Sequence, residues 1–456
     1  MAMKSDLPLA ALFGETQSTP ELLAVFSATG TVQAMLDVEA ALARAEAARG
    51  IVPKNAARAI ERACSAESYD VASLAKAMRK AGNLAIPLVA ALTDQVATGN
   101  AAASRYVHWG ATSQDITDTA TALQLRAAAA LIAKDLNRLR RGLAKLARRH
   151  RRTVMTGRTL MQAAAPTSFG LKVASWLDAL DRHDERLRKA QARCLVLQFG
   201  GAAGTLAALG RNGPAVARAL GRDLKLPVPA IPWHAERDRI GEFAGVFGLL
   251  TGTLGKIARD ISLSMQSEIG EAREPGSAGR GGSSTLPHKR NPIACASVLA
   301  AALRAPGLVA TILSAQVQEH ERALGGWQAE WSVLPELVML AGGAVRHMAE
   351  TIEGLEVDRE RMRQNLEARN GLVMAEAVAM ALAEKTGKSK AHHLIERASG
   401  RAVANGMHLR QVIEQDPEIA RHFDRVTLDR VFDPRRNLGS ADSMIDAVLR
   451  ASRSRA

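Results

Sequence analysis

Residues 112–152 read TSQDITDTATALQLRAAAALIAKDLNRLRRGLAKLARRHRR, with no proline and one glycine, Gly142. Alanine and leucine dominate the run, and both lose little side-chain freedom in a helix. Ile116, Ala120, Leu123, Ala127 and Leu131 recur at three- and four-residue steps, and Leu136, Leu139, Leu143 and Leu146 carry the stripe onward. That spacing is helical. A helix of about 38 residues is ~57 Å long, well beyond the usual globular length. Thr112 and Asp115 have the spacing of a capping box at its start. A helix this long needs partners along its apolar seam, so the stretch predicts a bundle.

Two further seams support the bundle. Phe169, Val173, Trp176, Leu180, Leu187 and Cys194 mark one long helix, and Phe243, Phe247, Leu250, Leu254, Ile257 and Ile261 mark another. Such seams often extend across subunits, so an oligomer is expected. Before residue 112 the helices are shorter. One covers 31–49 and stops at Gly50 and Pro53, with Pro53 opening the next; another covers Asp70 to Ala81 and ends at Gly82. After about residue 365 the pattern returns to short helices. The chain therefore divides into an N-terminal helical domain, 1–112, a central long-helix bundle, 113–364, and a small C-terminal helical domain, 365–456. The expected fold class is all-α.

Composition agrees. Of 456 residues only 3% are aromatic, against 47% hydrophobic overall, and aromatic and β-branched runs are the usual mark of strands. Sixty basic residues against 46 acidic ones leave a net charge of +14, which suits a nucleic acid, an anionic membrane or an anionic small molecule. The densest basic run, Arg138 to Arg152, keeps most arginines off the apolar stripe and carries no interleaved aromatics, so it reads as a solvated face and not as a nucleic-acid platform. Cys64, Cys194 and Cys295 match neither a zinc motif nor a disulfide framework. No signal pattern opens the chain, and no stretch reads as a bilayer span. A cytoplasmic enzyme acting on a small anion is expected, with no nucleic-acid or membrane partner.

The most informative chemistry lies in residues 276–292, GSAGRGGSSTLPHKRNP. Its glycines allow backbone N–H groups to face an anion. Ser283 and Ser284 stand between those glycines and the cations His288, Lys289 and Arg290. A serine in that setting reaches its alkoxide more easily and can move a proton. Lys289 and Asn291 are placed to hold a carboxylate whose charge grows in the transition state, and Asn291 and Pro292 read as the cap and first position of the next helix. Ending in a cation-rich cap separates this stretch from an ordinary linker.

Three other stretches offer polar groups. In HWGATSQDITD, residues 108–118, the hydroxyls of Thr112 and Ser113 at a helix start suit a carboxylate, and His108 precedes them. Capping alone also explains Thr112 and Asp115. In TGRTLMQ, residues 156–162, Arg158, Thr159 and Gln162 sit in what reads as a helix connection. In EHERALGGWQAEW, residues 319–331, His320, Glu321 and Arg322 are adjacent ionisable groups in an apolar, helical-looking region, as suited to a salt bridge as to chemistry.

Together these stretches resemble the fumarase/aspartase superfamily. Its loop pattern GSSxMPxKxNP stands here as GSSTLPHKRNP, with Leu286 in place of methionine; HWGATSQDITDTA and TGRTLMQ resemble its other two site regions. The resemblance covers most of the chain. It implies three helical domains and a homotetramer with active sites shared between subunits; the residues themselves show no clustered ligand set and no redox-cofactor motif, so no metal or cofactor is expected. The resemblance also implies Ser283 as the proton-moving residue, with Thr112, Ser113, Thr159, Gln162, Lys289 and Asn291 touching a small polycarboxylate. The adenylosuccinate lyase branch carries a histidine after the threonine of the second region, and here that position is Leu160. That histidine helps a poor leaving group depart; a carboxylate needs no such help. Leu160 therefore fits lactone closure on an unsaturated polyacid. AGNLAIPLV (81–89), GGWQAEW and the C-terminal DPRRNLGSAD resemble the bacterial cycloisomerase branch. The alternatives are a C–N lyase releasing fumarate and a non-catalytic basic helical protein.

Overall fold

The computed structural model describes residues 14–276, 281, 282, 285, 286 and 288–454. Ser283 and Ser284 lie outside the described residues. The all-α expectation holds. The long run at the centre of the sequence forms one helix, Ser113–Arg149, of 37 residues. Phe169–Cys194, Asp238–Ser264, Ile293–Ser314 and Gly326–Glu353 are also long helices. Every apolar position read from the Phe169 and Phe243 seams is buried. On Ser113–Arg149 the stripe drifts. Leu125, Ala128, Ala129 and Ile132 are buried, while Leu123 and Leu131 are half-buried and Ala127 is exposed. A straight helix rotates its apolar face over many turns, which a short-window reading does not follow.

The chain forms two compact units. One combines the chain up to Leu136 with His183–Gly255 and Ser297–Arg346; the other combines Asn137–Arg182, Lys256–Ala296 and His347 onward. Each boundary falls inside a long helix.

In the first unit, short N-terminal helices surround a core that includes Met35, Leu36, Leu42, Ile60, Leu88, Leu92 and Ile116. The helix Val71–Ala81 begins and ends as its sequence predicts. Asp70 accepts hydrogen bonds from Ala72 N and Ser73 N, and Gly82 stops the helix at φ +81°. Gly241, Gly248 and Gly255 recur every seventh residue on Asp238–Ser264. A Cβ on each would fall within 3 Å of Gln316, Val309 and Ala302 in turn, so the two segments run antiparallel in close contact.

The same segment corrects one expectation. Ile293–Ser314 is long and apolar enough to cross a membrane by length and composition, with a mean hydropathy of 1.8 over its most apolar window and 28% of that window buried. Its alanines and scattered Leu, Val and Ile, interrupted by one charged residue, Arg304, and by Pro306, disguise that apolarity in the sequence.

In the second unit, two antiparallel strands, Val154–Thr159 and Gln162–Ser168, stand where a helix connection is expected. Buried Glu274 accepts hydrogen bonds from Ala294 N (3.1 Å) and Cys295 N (2.8 Å), so it caps Ile293–Ser314 in place of Asn291. A carboxylate of the chain itself thus takes up the first-turn N–H groups that an anion would use. The C-terminal helices enclose their own core around Leu382, Ile395, Leu409, Ile413 and Ile419. All three cysteines are free thiols, and burial pushes Cys64 and Cys194 up to about 12.

Candidate active site

The start of Ser113–Arg149 forms one wall of a cleft of about 360 Å³ in the first unit. Asn83, Gln114, Arg322, Trp327 and Gln328 line it. Arg322 lies not in a helix but in the loop before Gly326–Glu353, with His320 at φ +52°, which corrects the helical reading of that stretch. Left-handed backbone at His320 and Gly325 breaks the helix that the apolar pattern suggests. The loop carries Arg322 back onto Thr112 and its neighbours. The guanidinium donates to Thr112 Oγ1 (2.8 Å), Ser113 Oγ (3.1 Å) and Gln114 Oε1 (3.3 Å). All three acceptors are neutral, and among the described residues no carboxylate pairs with Arg322. The cation is held in place without being neutralised, the condition for binding a carboxylate from outside.

Two buried carboxylates hold this wall. Asp115 accepts from Thr112 N (3.1 Å), Gly200 N (2.9 Å), Gly201 N (2.8 Å) and His234 (2.8 Å). Its bond to Thr112 is half of the expected capping box, and its other bonds tie the helix start to two distant loops. One turn on, Asp118 accepts from Gln114 Nε2 (3.1 Å), Trp327 Nε1 (3.0 Å) and both terminal nitrogens of Arg237 (2.7 and 3.1 Å). Arg237 also pairs with Glu330 and stacks over Trp233 at 4.8 Å. Gln114 and Trp327, both facing the cleft, are fixed through Asp118. Sequence reasoning missed Arg237. Its partners lie about a hundred residues away on either side, and no local pattern marks it.

His108 is tied elsewhere. Its backbone adopts φ +58°, and its Nδ1 lies 2.6 Å from Oε1 of Glu39, a residue only 1% exposed. Burial opposes a charged imidazole here. The charge and hydrogen bond of Glu39, with a smaller push from Asp115, nonetheless raise His108 above its ordinary value.

The remaining expected residues, among those described, lie in the second unit. Thr159 and Gln162 face each other across the hairpin turn, and both are exposed. Arg158 forms a bidentate pair with buried Glu271 (2.6 and 2.9 Å), whose carboxylate also accepts from Asn365. Its charge is already answered. At the turn, Leu160 and Met161 take φ +49° and +65° and are 96% and 73% exposed. Asparagine and glycine are the residues that suit such a turn; leucine and methionine are strained there.

At the glycine loop, Asn291 N donates to Gly281 O (2.8 Å) and its side chain donates to Gly282 O (3.4 Å), clasping the described ends together. Gly281 sits at φ +68° with Asn291 O where a Cβ would be, so only glycine fits. Lys289 is exposed, while Arg290 pairs with Glu356 (2.9 and 3.0 Å).

Long helices, a helix start gripped by Arg322 and a Gly-Ser-Ser loop sequence ending in Lys-Arg-Asn-Pro define a class, and sequence comparison identifies it. The family model described as Lyase matches residues 14–307, and that described as Adenylosuccinate lyase C-terminus matches residues 371–448. The chain belongs to this lyase family, within the fumarase/aspartase superfamily. It is 53% identical over 441 residues to a 3-carboxy-cis,cis-muconate cycloisomerase of Bradyrhizobium diazoefficiens, covering 97% of this chain and 98% of that one. It is also 53% identical to the protein of that name from Pseudomonas aeruginosa, covering 98% and 97% of the two chains. The crystal structure of 3-carboxy-cis,cis-muconate lactonizing enzyme from Pseudomonas putida matches with a TM-score of 0.93 at 49% identity, over 97% of this chain and 99% of that chain.

Proposed function

We propose that this chain converts 3-carboxy-cis,cis-muconate to 4-carboxymuconolactone, a ring-closing isomerisation in the degradation of aromatic compounds through protocatechuate. The observation that carries the reading is Arg322, a cation held by three neutral acceptors in a polar cleft. Relatives of that activity, similar over nearly the whole chain, support it.

In this reading Arg322, with the hydroxyls of Thr112 and Ser113, binds one substrate carboxylate. A second carboxylate is the nucleophile. Its oxygen bonds to the distal double bond, and the displaced electron pair moves toward a carboxylate to give an enediolate. Lys289 and Asn291 stabilise that charge. Ser283 delivers a proton to the adjacent carbon, so one proton is consumed and no fragment leaves. Because the nucleophile is part of the substrate, much of the acceleration comes from folding the substrate into an attack geometry. Thr159, Gln162 and Ser284 complete the substrate contacts, while Arg158 steadies the hairpin through Glu271.

A C–N lyase is the second reading, favoured by the family match over residues 371–448. Leu160 opposes it, since it offers no proton to a departing amine.

The reading includes a cytoplasmic homotetramer with shared sites, in which section 113–364 forms the assembly core between sections 1–112 and 365–456. Leu249, Leu303 and Leu313 are exposed on two long helices, Leu303 at 81%. The strained, exposed Leu160–Met161 turn fits insertion into a neighbouring copy.

The test is an ultraviolet assay. Loss of the conjugated-diene band of 3-carboxy-cis,cis-muconate with the native protein, and near-complete loss of rate in Ser283→Ala, are expected. An unchanged band with the native protein rejects the substrate.

A further inference from the structure

The helix Ala28–Ala47 carries two buried acids, Glu39 and Glu46, for which the proposed reaction has no use. Among the described residues neither oxygen of Glu46 has a hydrogen-bond partner. Burial first, and the charge of Glu39 second, push Glu46 up to about 9, so it is neutral near pH 7. The Cys64 thiol, raised by burial and by the same charge, is neutral too. Glu39 is the acid of this group that has a partner, the Nδ1 of His108 at 2.6 Å.

The bond also accounts for backbone geometry. A histidine at φ +58° is held against its preference, and the buried carboxylate gives the reason. With Nδ1–H donated to Glu39, the ring has only Nε2–H left to donate. His108 is 19% exposed, and it lies on the segment that Arg322 grips at Thr112 and Ser113.

We propose that Glu39 is a positioning residue: it binds Nδ1 of His108 and directs Nε2–H outward as a second donor to a substrate carboxylate, on the segment that Arg322 holds. The groups acting on the pair are Asp115 at His108, and Glu46 and Cys64 at Glu39. Histidine is the titrating partner, and its charged form binds the anion. The contact is therefore present at low pH and lost as pH rises through the raised histidine value.

The kinetic part of the test rests on the cycloisomerase reading; the titration part does not. Ring-labelled histidine is followed by NMR in the ligand-free native protein and in Glu39→Gln, with His108→Gln assigning the signal. The expected result is a fall in the His108 midpoint of about one pH unit or more, tenfold in the proton equilibrium. In turnover, the basic limb of kcat/KM moves down by the same shift through KM, with kcat at low pH retained. Glu39→Gln has no further effect in a His108→Gln background. An unmoved midpoint overturns the proposal, as does a uniform loss of activity at every pH. Should Glu39→Gln fail to fold, His108→Gln carries the test: its basic limb must disappear, and a retained limb overturns the assignment. If the native protein leaves 3-carboxy-cis,cis-muconate untouched, the activity reading fails while the titration still decides the dyad.

Discussion

Replacing Arg322 by alanine removes a cation that no carboxylate of the described residues answers. In the ligand-free protein the loss is small. Thr112 and Ser113 are partly exposed and recover a partner from water, and only Gln114 Oε1, in a fully buried residue, loses its 3.3 Å donor. An orphaned acceptor of that kind costs about 1 kcal/mol of stability. The loss in substrate binding is larger. A hydrogen bond to a charged group contributes about 1.5–3 kcal/mol, which corresponds to roughly a 10- to 150-fold rise in KM. Because the carboxylate bound here stays charged throughout the reaction, the interaction is equal in ground and transition states, and kcat should change little. Arg322→Lys keeps the charge but cannot span three acceptors, so it falls between the two, about tenfold in KM. Initial rates of diene loss, with unfolding curves run alongside, measure both effects. A native KM in Arg322→Ala refutes the reasoning. A fall in kcat at constant KM refutes it differently, by moving Arg322 to the reacting centre.

Other outcomes follow from the same structure. Between pH 4.5 and about 9 the unfolded chain has released the Glu46 proton and the folded chain has kept it. Stability therefore falls as pH rises through that window, by at most ~1.4 kcal/mol per unit. Glu46→Gln should flatten that slope in denaturant unfolding at about pH 5.5 and about pH 8; equal slopes would refute the assignment. At Gly343 a Cβ would stand 2.1 Å from the backbone oxygen of Gln17, so Gly343→Ala should cost about 1–3 kcal/mol, read as a lower unfolding midpoint. Leu160→Asn should relieve about 1 kcal/mol of turn strain in the isolated chain, yet lower turnover if the tip serves a neighbouring copy. Light scattering should give four times the 48.5 kDa chain mass, and Leu303→Glu should give a smaller assembly; an unchanged mass in the variant removes that helix from the interface.

Much of this molecule is legible because its signals are local. Caps such as Asp70 and Gly82 act within a few residues, and the seams from Phe169 and Phe243 repeat along single helices. The hairpin at Val154–Ser168 escapes because three alanines and a proline fill most of its second strand, where pattern expects β-branched residues, and its turn holds Leu160 and Met161 in place of asparagine or glycine. Glu274 escapes because a helix cap is sought beside its helix, not on the far side of a loop. At the site, Thr112, Ser113 and Arg322 were each visible as polar groups, and they converge as three partners in one cluster. What the sequence hides is who answers whom. Arg158 is neutralised by Glu271 and Arg322 is not, a distinction set by partners 113 and about 210 residues away in the chain.

The central claim is ring closure without fragmentation. It is tested most directly by incubating the native protein with 3-carboxy-cis,cis-muconate in D2O and identifying the product by NMR and mass spectrometry. The account predicts a single lactone that keeps every carbon of the substrate and carries one new C–D bond. Release of fumarate or another fragment, or a lactone formed without deuterium on carbon, would contradict it.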